Sequence, residues 1–314
     1  MLTSITGSIA LIDPLTLIGR EVVQRMPQLG CELLPFHTGL EEEHEIADIE
    51  GSPRLVPPLA SDSDLGNCAA VIVASNAPAE RLPSLLELLD RNPELPLVDI
   101  SRLELLRART VPLAEPAVER PTPPAVRVAH PSLVAMYHSV QALRDLEPRA
   151  ITLTALEPVS THGSAGVVAL ARQSASRLRG EPPADLVAGE TLAFNLVTLP
   201  ADELMEDAAG LLPDLQVAVS RGVGGWFHGH VAVLGISFAH PVEEGDLVER
   251  WMTAERLTVE DGPLRLDAVA DRDTVLLGTP SLSPDRQTVA LVAMVDGLLI
   301  GGALTAVELL ASLL

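Results

Sequence analysis

Residues 6–26 read TGSIALIDPLTLIGREVVQRM, and the order of apolar residues in that stretch decides the fold class. Residues 6–12 form a short apolar run of strand length. Residues 19–25 then continue into a helical pattern, with Ile18, Val22, Val23 and Met26 at helical spacing. A strand that feeds directly into a helix at the start of a chain opens a doubly wound parallel sheet. The alternation continues: strands are predicted over 32–36, 69–74 and 97–100, and a helix over 79–89 with Leu82, Leu85, Leu86 and Leu89 on one face. The turn joining the first strand and helix is unusual. It reads Asp13, Pro14, Leu15, Thr16, Leu17, Ile18, Gly19, with one glycine where a phosphate-cradling loop carries several. Asp13 places a negative charge where a pyrophosphate would approach, and Pro14 lacks a backbone donor. The acidic residues Glu41, Glu42, Glu43 and Glu45 read as a solvated loop.

These elements make the first ~125 residues Rossmann-like, α/β with a parallel sheet. Residues 116–124, PAVERPTPP, form a proline-rich connector and a natural boundary. Beyond it the pattern predicts a helix over 133–146, a strand over 150–156, a glycine and serine loop over 157–166 and a helix over 167–178. Then come strands around Val217 and Val219, over 231–238, 265–269, 274–278 and 288–295, and a closing helix over 303–314. The second part is therefore α+β with a largely antiparallel sheet. The serines and His162 of its loop have no spaced acid and no nucleophile elbow, so a turn feeding a helix is the reading.

The candidate site lies in VAVSRGVGGWFHGHVAVLGISF, residues 217–238. Arg221 and His228 flank a turn loosened by Gly222, Gly224 and Gly225, a spacing that lets both face one pocket. A guanidinium fork suits a carboxylate, and an imidazole suits proton transfer near neutral pH. His230, two residues on, is expected on the same side of an extended strand as His228; no third ligand accompanies the pair, and no metal site is expected.

Composition narrows the function classes. A net charge of -22 argues against nucleic acid and anionic membranes as partners. All 21 basic residues are arginine, which excludes Schiff-base and Walker lysines. Aromatic residues are only 2%, too few for stacking platforms. Cys31 and Cys68 are insufficient for a disulfide framework, and with no long apolar span or leader pattern a cytoplasmic protein is expected.

Taken together, IALIDPLTLIGREV, VSTHGSAG, Ala193-Phe194-Asn195, the Arg221/His228 interval, LDAV at 266–269 and Asp296 with GGALTAV at 301–307 resemble the aspartate-semialdehyde dehydrogenase family, on its divergent Usg-like side. The resemblance covers the chain in order. It implies a Rossmann-like domain of residues 1–127, joined by the C-terminal helix at 298–314, and a dimerisation and substrate domain over 128–297. It also implies NADP chemistry on aspartyl phosphate or the semialdehyde, with a thiolate nucleophile, a histidine acid or base and arginines on the substrate.

Residue by residue, that resemblance makes His228 the acid or base, Arg221 the substrate anchor, and Thr16, Gly19, Ser160 and Gly163 the cofactor-binding candidates. The nucleophile segment reads His130, Pro131, Ser132, Leu133, Val134, and neither available register places a cysteine there. Ser132 is the nearest hydroxyl and the candidate at that position. Glu157 stands where the family has a Gln, a charge that repels anions unless Arg221 pairs with it. Gly297, Leu299 and Ile300 replace an Asn, an Arg and a Lys. The phosphate-binding Arg falls near Leu105, with Arg102 or Arg107 as substitutes. The expectation is a catalytically impaired homologue with a binding, scaffolding or regulatory role. It needs no cofactor, or NADP if that site survives; it forms a homodimer, or a heteromer with an active paralogue; and it holds at most a small carboxylate or phosphate. The alternative is an NADP-dependent oxidoreductase of the same substrates with an altered nucleophile.

Overall fold

The structure, a computed structural model, describes residues 7–314 other than 40–44, 50, 61, 62, 64, 76–81, 102, 118, 120 and 184. It folds as two compact units, Met1–Val128 with Gly302–Leu314, and Ala129–Gly301.

The first unit contains strands β1 (Ser8–Ile12), β2 (Glu32–Phe36), β3 (Glu45–Ile49), β4 (Ser52–Val56), β5 (Cys68–Val73), β6 (Leu97–Asp99), β7 (Val111–Leu113) and β8 (Ala125–Val128), with helices α1 (Leu17–Arg25), α2 (Pro83–Arg91) and α3 (Glu104–Arg107). Six strands join in the order β2-β1-β5-β6-β8-β7, all parallel. Parallel strands are buried on both faces, which is why β1 and β5 read as unbroken apolar runs. Ile9 and Leu11 turn to one side, where Val22 and Met26 of α1 and Val307 and Leu310 of the C-terminal helix Leu304–Leu313 pack on them. Ala10 and Ile12 turn to the other, against Leu85 and Leu88 of α2. Each such leucine or isoleucine, fully buried, contributes about 1.5–3 kcal/mol.

Two readings change here. Glu45 opens strand β3 of an antiparallel hairpin with β4 rather than closing an acidic loop; Ala47 and Ile49 face the core, and the alternation was masked by the preceding charges, of which Glu41, Glu42 and Glu43 lie outside the described residues. The predicted 79–89 helix spans Pro83–Arg91, its first three residues lying outside the described set.

The second unit holds β9 (Pro148–Glu157), β10 (Leu196–Leu199), β11 (Gln216–Gly224), β12 (His230–Phe238), β13 (Leu257–Val259), β14 (Val275–Leu277), β15 (Ser281–Leu282) and β16 (Thr288–Val295), with helices α4 (Pro131–Gln141), α5 (Gly163–Leu178), α6 (Asp202–Leu211) and α7 (Glu244–Thr253). The sheet runs β10-β11-β9-β12-β16-β14-β13, with β15 beside β16. It is largely antiparallel, but β9 and β11 are parallel, as are β13 and β14. One face, carrying Leu153, Leu234 and Leu291, is buried; α4 is apolar on nearly all sides and buried with it, and Trp251 of α7 donates its indole N–H to the Ser139 carbonyl at 2.9 Å. The opposite face presents Thr152, Ser220, Val233 and Thr288, which are exposed.

Several boundaries differ from the sequence reading for local reasons. Helix α4 starts at Pro131, since proline at the first helical position costs nothing, and it ends at Gln141 before a tight turn at Arg144–Leu146 and the pre-proline residue Glu147. The glycine and serine segment is not a long loop: a tight turn at Val159–His162 leads straight into α5 at Gly163. Leu266–Ala268 is a helical turn and not a strand. Among the described residues no helix is long and apolar enough to cross a membrane.

Candidate functional site

Glu157 is the last residue of β9, and the parallel pairing of β9 with β11 brings their carboxyl ends together, with Arg221 opposite Ala155 and Val223 opposite Glu157. Alternation therefore puts Arg221 and Glu157 on the same sheet face. The guanidinium grips the carboxylate with both prongs, Nε donating to Oε1 and a terminal nitrogen to Oε2 at 3.1 Å. From the other side, Nε2 of His130 lies 3.0 Å from Oε1. His130 is the N-cap of α4: its Nδ1 accepts the Ser132 backbone N–H at 3.2 Å, so in the neutral ring the proton resides on Nε2, facing Glu157. Glu157 is 1% exposed. Burial works to raise its pKa, but the charge and hydrogen bond of His130 and the guanidinium of Arg221 outweigh burial and hold it well below the usual carboxylate range. Burial works to lower the Arg221 pKa, and Glu157 reverses that, keeping the guanidinium charged.

A second pair lies beyond the glycine turn. Nε2 of His228 lies 2.9 Å from Oδ1 of Asp296, whose carboxylate also accepts the backbone N–H groups of Leu298 and Asp271, each at 2.9 Å. Burial tends to raise the Asp296 pKa, while His228 and the two amides lower it below the ordinary value. Such a pair orients an imidazole and sits at a rim, His228 being 29% exposed and Asp296 only 5%. His230 does not share the side of His228: Gly229 has φ +85, which breaks the extended alternation, and the strand begins only at His230. The buried His230 ring packs edge-on to His130 at 5.2 Å between centroids. Its room comes from Gly297, where a Cβ would stand 2.2 Å from Nδ1 of His230. Gly301 likewise leaves room for Pro131, a Cβ there falling 2.6 Å from the Pro131 Cα.

The structure thus unites Arg221 with Glu157 and leaves His228 to Asp296. Ser132 is fully buried, and its hydroxyl has no hydrogen-bond partner among the described residues; both nitrogens of the adjacent His130 are committed elsewhere, so no base is placed to ionise it. Both cysteines are buried in the first unit. Ser160 lies in the turn before α5, its N–H donating to the Phe227 carbonyl at 3.3 Å, and Gly163 opens the helix with φ +70. His162 is half-buried; burial lowers its pKa, with Glu157 opposing and Arg221 assisting. Among the described residues no group of three or more His, Cys, Asp or Glu could hold a metal ion. His130 was the residue that sequence reasoning passed over. Pro131 was the available signal, since a proline at the first helical position makes the residue before it the cap.

In the first unit, the turn after β1 is closed by its own groups. Asp13 has φ +61, and its carboxylate accepts the Thr38 N–H at 2.7 Å and the Thr38 hydroxyl at 2.6 Å. Thr16 caps α1: its hydroxyl accepts the Gly19 N–H at 3.0 Å and donates toward the Ala74 carbonyl at 2.9 Å. Gly19 has no room for a side chain, because a Cβ would lie 2.4 Å from the Asp13 carbonyl oxygen.

No family model matches the chain. Over 68% of its length it is 28% identical to a protein from Azotobacter vinelandii described as a USG-1 protein homolog, 70% of which is covered. Among solved structures it is similar to aspartate semialdehyde dehydrogenase II of Vibrio cholerae complexed with ASA (TM-score 0.86, 16% identity, 99% of this chain and 98% of that one). The fold is that of the aspartate-semialdehyde dehydrogenases. A probable aspartate-semialdehyde dehydrogenase of Pseudomonas aeruginosa gives TM-score 0.84 at 20% identity, covering 96% of each chain. The Candida albicans aspartate semialdehyde dehydrogenase with NADP gives 0.70 at 12%, covering 98% of each. The resemblance to that family, on its Usg-like side, is therefore borne out. His130, Glu157, His230 and Gly297 form one buried set, with Glu157 on His130, the His130 ring against His230, and His230 in the space that Gly297 leaves.

Proposed function

We propose that this chain is a non-catalytic relative of the aspartate-semialdehyde dehydrogenases, acting by binding, scaffolding or regulation. One observation carries the reading: the N-terminus of α4, where the resemblance expects a thiolate, is built from His130, Pro131 and Ser132, and its imidazole and the nearby Arg221 are both spent on buried Glu157. A serine in place of a thiolate and without a base loses several orders of magnitude in reactivity.

NADP, with which the Candida albicans neighbour was solved, is a poor fit for the turn at 13–19. The Asp13 carboxylate stands there, and the Gly19 N–H and Thr16 hydroxyl are already bonded within the chain. The open sheet face of Thr152, Ser220 and Val233, together with exposed Phe194 and Leu196, supports assembly as a homodimer or with a homologous, active subunit. The test is direct. Purified protein, supplied with NADP, phosphate and aspartate semialdehyde, is expected to produce no NADPH and to show no saturable heat on NADP titration; turnover would overturn the reading.

The His228–Asp296 pair supports a second reading, an oxidoreductase or acyl-transfer enzyme of altered chemistry in which His228 moves a proton. In that case His228→Asn would abolish an activity that the Arg221 and Glu157 variants leave measurable.

A further inference from the structure

We infer that Arg221 is a carboxylate-recognition site whose ligand is built into the chain: Glu157 occupies it permanently, and the site admits no free carboxylate until that residue is changed. The inference rests on the non-catalytic reading above, since an enzyme anchoring a carboxylate substrate here in the side-on fork geometry would need the Nε–Nη2 edge of the guanidinium free. Three features carry it. The pairing uses both prongs of the fork, which is the geometry of carboxylate recognition, so no second bidentate acceptor fits the same edge. Glu157 is enclosed while the Arg221 side chain is 28% exposed, so the cation faces outward and the anion comes from within. His130 holds the same carboxylate from behind, itself fixed by capping α4.

Displacing Glu157 would part an enclosed carboxylate from its guanidinium and leave it with His130 alone, a cost that an exposed ligand could not recover. A partner held at bonding distance by the strands also competes intramolecularly, at an effective concentration of at least about millimolar order. The remaining charged groups around the site do not change this: His162 is half-buried beside the pair, and Glu203 adds a further negative influence on Arg221.

Succinate is the probe, titrated by calorimetry into the full chain. The wild-type protein is expected to show no saturable binding up to ~10 mM, whereas Glu157→Gln, which keeps the shape and removes the charge, gains at least ~10-fold in affinity. Adding Arg221→Gln to that variant is expected to abolish the gain. Arg221-dependent succinate binding by the wild type, or a folded Glu157→Gln protein that binds none, overturns the inference. Should Glu157→Gln fail to fold, the wild type still decides the matter: in arginine-labelled protein the Arg221 Nε–H resonance stays slowly exchanging and unshifted by succinate, and a shift or rapid exchange overturns it. NADPH production from the semialdehyde would instead strike the non-catalytic reading alone, so the two failures are distinguishable.

Discussion

The turn after β1 and the carboxyl end of β9 solve the same problem with different partners. At each, a carboxylate of the chain is gripped by donors that could otherwise face a ligand: Asp13 by the amide and hydroxyl of Thr38, Glu157 by Arg221 and His130. The difference lies in charge and depth. Asp13 is half-buried and bonded to neutral groups, so losing it releases hydrogen bonds worth about 1 kcal/mol each. Glu157 is enclosed and bonded to a cation, so each member of its set depends on the others' charges. The first arrangement shapes a turn; the second sustains a buried electrostatic cluster.

The largest effect is therefore expected from Arg221→Ala. It strands the enclosed Glu157 carboxylate with His130 alone, and unfolding in urea is expected to reveal a loss of about 3–5 kcal/mol. Removing both charges, as Arg221→Leu with Glu157→Leu, is expected to restore most of that stability. A double variant as unstable as the single one would mean that packing, and not charge, dominates this region.

The comparison also marks what the sequence could reveal. The parallel sheet was legible because strands buried on both faces leave continuous apolar runs, and the pairing of Glu157 with Arg221 was foreseeable as the condition on which a buried acid is tolerated. His130 was hidden because its role depends on which ring nitrogen caps α4, and the fit of His230 into the space above Gly297 joins residues far apart in the chain. The supposed shared side of His228 and His230 failed at Gly229, whose left-handed backbone no side-chain pattern records. The β3–β4 hairpin was lost beneath a count of acidic residues.

A smaller effect tests whether the buried set is mutually fitted. Gly297→Ala would push a methyl into His230, and overpacking of this kind costs about 1–3 kcal/mol. Combining it with His230→Ala is expected to recover at least half of the loss in a double-mutant cycle. Independent, additive costs would separate Gly297 from the cluster. Smaller again is Asp13→Gly: two hydrogen bonds to Thr38 disappear while the strain of a non-glycine residue at φ +61 is relieved, for a net loss of about 1 kcal/mol in thermal or urea unfolding. A loss as large as that of Arg221→Ala would erase the distinction between the neutral and the charged grip.

The smallest expected effect comes from the rim of the charged region and is read as a pH dependence. Burial lowers the His162 pKa from its ordinary 6.5, with Glu157 pulling it upward and Arg221 pushing it downward. A histidine whose folded pKa is depressed contributes stability that is present above the unfolded value and is lost as pH falls through that value toward the folded one. Wild-type stability is therefore expected to decline as pH drops below about 6.5, and His162→Gln is expected to flatten that part of the curve. Glu157 has the same sign in a lower window: its folded pKa lies well below 4.5, so its contribution is complete above that value and disappears only on stronger acidification. Urea midpoints of the wild type and His162→Gln, measured at half-unit steps of pH, separate the two windows. A variant that still loses stability between pH 6.5 and 5 at the wild-type rate would assign that slope to a different group.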